Sequence, residues 1–105
     1  MFPTTTVARK IINKNIKAIG AIHHGVWYNK TTKPNERILS FYDVSLDDDK
    51  LVELVVDECN QELVQLGYEP TVRFTHNPRW AKNYSEEEGM SRNQFAIKAR
   101  AANPQ

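Results

Sequence analysis

The sequence predicts an α+β domain: a small, mostly antiparallel three-stranded sheet packed with two to three helices, in the order α-β-β-α-β-α. Three observations carry this. Residues 46–66 place apolar side chains at three- and four-residue spacing, the period of a helix with one buried face. Two runs rich in β-branched and aromatic residues, 21–28 and 37–44, precede it, and a short alternating run, 71–76, follows. The chain has 105 residues, 40% of them hydrophobic, with no repeat and no linker, which suits a single domain over 1–105 with one core.

The first element reads as a helix over residues 4–19. Ala8, Ile11, Ile12, Ile16 and Ile19 recur at helical spacing, with Arg9, Lys10, Asn13 and Lys17 opposite and Gly20 placed to end it. The same stretch also fits a backward extension of the first strand through Ile16, Ala18, Gly20 and Ile22, and the pattern alone leaves both readings open. The runs 21–28 and 37–44 then form a hairpin. Its connection, residues 29–36, is polar, too long for a tight turn, and reads as a mobile, basic finger. The second strand carries Ile38, Tyr42 and Val44 on one face and Leu39 and Phe41 on the other, which suits a strand covered on both sides.

The long helix starts at an N-cap Ser45, with Asp48 three residues on in a capping-box variant. Asp47, Asp48 and Asp49 put negative charge in the first turn, where the helix dipole favours it. Leu51, Leu54, Val55, Cys59, Leu63 and Leu66 form the expected core stripe, and Glu53, Asp57, Gln61 and Gln65 face away. Gly67 closes the helix and Pro70 prevents its resumption. In the strand 71–76, Val72 and Phe74 point inward and Arg73 and Thr75 outward. Ser91 to Gln94 then read as a capping box opening a last helix over 92–102, after a short turn at 85–89. Lys98 and Arg100 fall in that helix's final turn.

The charge is sorted into blocks. Residues 1–37 carry seven basic residues against Glu36, residues 38–69 nine acids against Lys50, and residues 70–105 six basic residues against three glutamates; the net charge of +1 conceals this segregation. Segregated charge gives a small body distinct faces that orient charged partners. It speaks to binding and not to chemistry. The lone cysteine, Cys59, cannot form an internal disulfide and sits mid-stripe between glutamates, as a buried small hydrophobe in a reducing, cytoplasmic setting. The start of the chain lacks the basic and apolar regions of a signal peptide. No apolar run approaches the ~20 residues that span a bilayer, so no membrane partner is expected.

No phosphate-binding glycine loop, zinc quartet or nucleophile elbow is present, and no cofactor or metal is implied. His23 and His24 are adjacent and point to opposite faces if extended. An enzyme would need His24, His76 and an acid to converge. The expected function is therefore non-enzymatic: an intracellular adaptor, inhibitor or assembly subunit, such as a viral or phage accessory protein. It docks on a protein or nucleoprotein partner through an acidic helix face of Glu53, Asp57, Glu58 and Glu62. The alternative is nucleic-acid binding. The segment 73–84 interleaves cations with rings (Arg73, Arg79, Trp80, Lys82, Tyr84), and Lys30 and Lys33 of the finger add phosphate contacts. A sequence pI near 7.9 is low for a dedicated nucleic-acid domain, which ordinarily lies above about 9.

Overall fold

A computed structural model describes residues 1–76 and 95–103. The element order is α1 (Thr5–Ala18), β1 (Gly25–Lys30), β2 (Glu36–Val44), α2 (Asp49–Gln65), β3 (Val72–His76) and β4 (Phe95–Ala102). The strands form one antiparallel sheet in the order β1-β2-β4-β3. The α+β class and the antiparallel sheet are as expected. The last element is not: residues 95–102 form a strand, so the sheet has four strands.

The physical reason is the two-sided ladder. As a central strand, β4 pairs with β2 on one edge and β3 on the other. Its backbone groups are satisfied on both sides, and its alanines are small enough to sit between packed neighbours. Phe95, Ala96, Ile97, Ala99 and Ala101 are all buried. That outweighs the helix preference of Ala, worth at most a few tenths of a kcal/mol per residue against most alternatives. The expected turn at 85–89 and the capping box at 91–94 lie outside the described residues.

Both helices lie on one face of the sheet. The core there joins Ala8, Ile12 and Ile16 of α1, Val52, Val55, Cys59 and Leu63 of α2, and Leu39, Phe41, Ile97 and Val72 of the strands. β2 is thus covered by helices on one side only, not both. On the far face, Ile38 and Tyr42 are half-buried while Ser40 is buried. A bulge between Phe41 and Val44 puts Asp43 in the left-handed region (φ 56) and returns Val44 to the helix side opposite Phe95. Gly25 pairs with Tyr42, whose ring lies where a Cβ would be; the nearest atom would stand 2.7 Å from it.

α1 is a helix, as the stripe predicts, capped by Thr4, whose hydroxyl accepts from the Val7 N–H at 3.2 Å. Gly20 follows its C-cap at φ +75. β1 begins at Gly25 rather than at residue 21, and its ladder with β2 runs to Lys30–Arg37, so the hairpin connection shortens to residues 31–35. α2 starts later than expected, with Asp48 as N-cap: its carboxylate accepts from the Lys50 N–H at 2.8 Å. Ser45 is engaged elsewhere, its hydroxyl accepting from the Ile22 N–H at 2.8 Å. Leu46 is drawn into the core before the helix begins.

The buried stripe of α2 is also rotated from the expected one. Val52, Val55, Val56, Cys59 and Leu63 are buried, whereas Leu51, Leu54 and Leu66 are exposed. Two contacts set this rotation. Asn60 clamps the Val72 backbone, donating to its carbonyl at 3.0 Å and accepting from its N–H at 2.9 Å. Glu62 accepts from Asn15 at 2.6 Å and from Lys14.

Candidate functional site

Charge is divided between two surfaces. The first is the outward side of α2. At about 100° per residue, Glu53 and Asp57 share one flank and Glu58 and Glu62 the other, with Lys50, Leu54 and Gln61 between them. The first flank lies toward β3, on the side where Asn60 meets Val72. The second lies toward α1, where Glu62 pairs with Lys14. The four acids expected to form one face therefore bracket Leu54 rather than line up in a row. Leu54 is 60% exposed, Leu51 42% and Val64 56%. Glu53, Asp57 and Glu58 are exposed, whereas Glu62 is half-buried. The Glu62 carboxyl is held below its ordinary value, first by the Lys14 hydrogen bond, with Asn15 adding and burial opposing. Of the four it is thus the one already committed inside the fold.

The second surface is the far face of the sheet. Cross-strand pairing puts Arg73 directly opposite Lys98, and Ile38 opposite Arg100. Partners in register point to the same side, so Arg73, Lys98 and Arg100 form one cationic cluster over three neighbouring positions. Buried Glu36 accepts from Arg100 Nε at 3.0 Å. The Arg100 guanidinium lies 5.8 Å from the centroid of the Phe2 ring. Phe2, Ile38, Thr71, Arg73 and Arg100 line a cavity of about 240 Å³ there. Thr71 is part of its wall, and its buried Oγ1 has no hydrogen-bond partner among the described residues.

Of the residues of the nucleic-acid alternative, the described ones are Lys30, Lys33 and Arg73, and the two lysines lie apart from the arginine. Lys30 pairs with Arg37 on the helix side of the sheet, at the β1 edge, and Lys33 follows in the connection. Arg73 lies on the far face of β3, three strands away, roughly 14 Å at ordinary strand spacing. Arg79, Trp80, Lys82 and Tyr84 lie outside the described residues.

The histidines do not converge either. His24 Nδ1 pairs with buried Asp43 ahead of β1, while His76, at the end of the opposite edge strand β3, stacks on Phe95 of β4. His23 packs edge-on against Phe41, and its Nε2 lies 3.2 Å from Asn13 Oδ1. Burial lowers its pKa. Among the described residues, no group of three or more His, Cys, Asp or Glu side chains could hold a metal ion. None of their helices is long and apolar enough to cross a membrane. Cys59 is buried as expected, and burial, with Glu62 adding, pushes its thiol up to about 12.

Sequence reasoning missed the exposed leucines of α2 and the partnership of Arg100, Arg73 and Thr71. One signal was present: Phe95, Ile97, Ala99 and Ala101 alternate with Ala96, Lys98 and Arg100 at the period of a strand. Compared with known proteins, the chain matches no family model, no curated protein and no solved structure.

Proposed function

We propose that this chain is a non-enzymatic binding protein that docks a basic, amphipathic segment of a protein partner on the outward side of α2. The observation that carries this is the placement of Leu54: 60% exposed on a well-packed helix, with Glu53 and Asp57 on one flank and Glu58 on the other. An apolar anchor inside an anionic frame is complementary to a partner helix with an apolar stripe bordered by Lys or Arg. Leu51 lies beside Glu58 on one flank and Val64 beside Glu53 and Asp57 on the other, so Leu54 is the central apolar contact. The anchor supplies burial on association, and the acids supply orientation and fast encounter. The face is also rigidly presented, because Asn60 and Glu62 tie the helix to β3 and α1.

The test uses a synthetic Leu/Lys amphipathic peptide, a twin with Glu in place of Lys, and backbone amide NMR of the protein. The expected result is shifts confined to residues 50–64 with the basic peptide and none with the acidic twin. Leu54→Asp, and separately the pair Glu53→Lys with Asp57→Lys, weaken binding at least tenfold while the far-ultraviolet spectrum stays unchanged. Affinity that survives the double charge reversal overturns the reading.

A further inference from the structure

The cationic cluster on the far face of the sheet is separate from α2 and is not used by the docking reading. It breaks a local rule of sheet design. Like charges directly opposite each other on antiparallel strands destabilise the pair, and Arg73 stands opposite Lys98 with Arg100 two residues further along β4. The Arg73 guanidinium and the Lys98 ammonium make no ion pair among the described residues. Glu36 pairs with Arg100, its Oε1 3.0 Å from Nε. Phe2 covers Arg100 from one side.

The cavity between them has the complementary polarity for an oxyanion. Arg73 and Arg100 supply planar, multidentate donors, and guanidinium geometry matches phosphate oxygens two at a time. Thr71 adds a buried hydroxyl with no partner among the described residues, a group whose desolvation a ligand oxygen would offset. Thr71 is held in place because Asn60 clamps the neighbouring Val72 backbone on both sides. Ile38 and Phe2 form the apolar part of the wall. At about 240 Å³ the cavity falls below the roughly 300–1,000 Å³ of sites for larger organic ligands. It suits a phosphate with one attached flat or apolar moiety.

We propose that this cavity binds the phosphate of a nucleotide, with the phosphate between Arg73, Arg100 and Thr71 and the sugar or base against Ile38 and Phe2. The same chemistry serves a free nucleotide or one unit of a single strand. Lys98, beside Arg73, is placed to neutralise an adjoining phosphate in the second case.

The experiment titrates the full chain with inorganic phosphate, adenosine monophosphate and a deoxythymidine octamer at low and at physiological salt, read by backbone amide and Arg side-chain NMR. The expected result is saturable shifts at Thr71, Arg73 and Arg100 with the nucleotide or the octamer. Arg73→Gln weakens binding at least tenfold and Thr71→Val several-fold. Arg100→Lys keeps a cation beside Glu36 while losing the planar fork, and it weakens binding without unfolding the chain. Lys10→Gln, on the outward side of α1, leaves binding unchanged. A mononucleotide affinity equal to that of the octamer assigns a free nucleotide. An octamer affinity at least tenfold higher, lowered again by Lys98→Gln, assigns a strand. No saturable shift with any of the three probes overturns the proposal. So does binding that Lys10→Gln weakens as much as Arg73→Gln, because that marks unspecific attraction to positive charge.

Discussion

Replacing Leu63 and Leu54 separately by alanine tests the rotation of α2, on which the docking face depends. Leu63 is fully buried, and Leu54 is 60% exposed. Truncating a buried leucine removes the transfer free energy of its side-chain carbons, about 2.5 kcal/mol at about 0.8 kcal/mol per methylene. A cavity term is added where the surroundings cannot close in, and measured Leu→Ala costs reach about 5 kcal/mol. Around Leu63 they are held: Asn60, one turn earlier, is fixed to the Val72 backbone, and Glu62 is fixed to Lys14 and Asn15. The expected cost is therefore in the upper half, about 3–5 kcal/mol. At about 4 °C or more per kcal/mol for a domain of this size, the melting temperature falls by more than ~12 °C. Leu54→Ala removes a side chain that water already covers and installs the best helix former, so its cost is about 0.5 kcal/mol or less. Urea unfolding followed by far-ultraviolet circular dichroism reads both, with m unchanged if the native state keeps its compactness. A Leu54→Ala cost equal to that of Leu63→Ala would refute the assigned rotation, and with it the exposed apolar anchor.

Acid stability should depend on Glu62. Its folded carboxyl lies below the ordinary 4.5 because Lys14 donates to it, so its contribution is complete above that pH and is lost as pH falls through the folded value. Lys14→Met should flatten the stability profile below about pH 4.5, and a profile parallel to wild type there would remove the pairing from the account. The Cys59 thiol, buried and pushed up to about 12, should resist a disulfide reagent at pH 8 in the folded chain and react fully in denaturant. Rapid labelling without denaturant would mean that the helix layer opens locally.

The structure also qualifies where the acids of α2 act. Glu62 is half-buried and bonded to α1, so it belongs to the frame that holds the helix, while Glu53, Asp57 and Glu58 are exposed. The basic residues divide in the same way. Arg100 is anchored by Glu36, and Arg73 and Lys98 are not. Net charge per block could not separate these roles, because it counts a group paired within the fold and one exposed on its surface alike.

Wherever the deciding interactions are local, the sequence by itself determined the outcome. Gly20 and Gly67 adopt the positive φ that ends each helix at little cost, although the isoleucine spacing of residues 8–16 left helix and strand open until α1 packed on the sheet. The alternation of Val72 and Phe74 with Arg73 and Thr75 is kept in β3, and Cys59 is buried as its neighbours imply. Tertiary structure decided three things that local pattern left open. Residues 95–102 became a strand because two neighbouring edges satisfied their backbone and the small Ala99 and Ala101 fitted beneath the helix layer. The α2 stripe turned toward Val52 and Val56 because Asn60 and Glu62, polar and outwardly ordinary, found fixed partners in β3 and α1. Arg73, Lys98, Arg100 and Thr71 came together because β3 and β4 pair in one particular register, a long-range contact that no window of sequence contains.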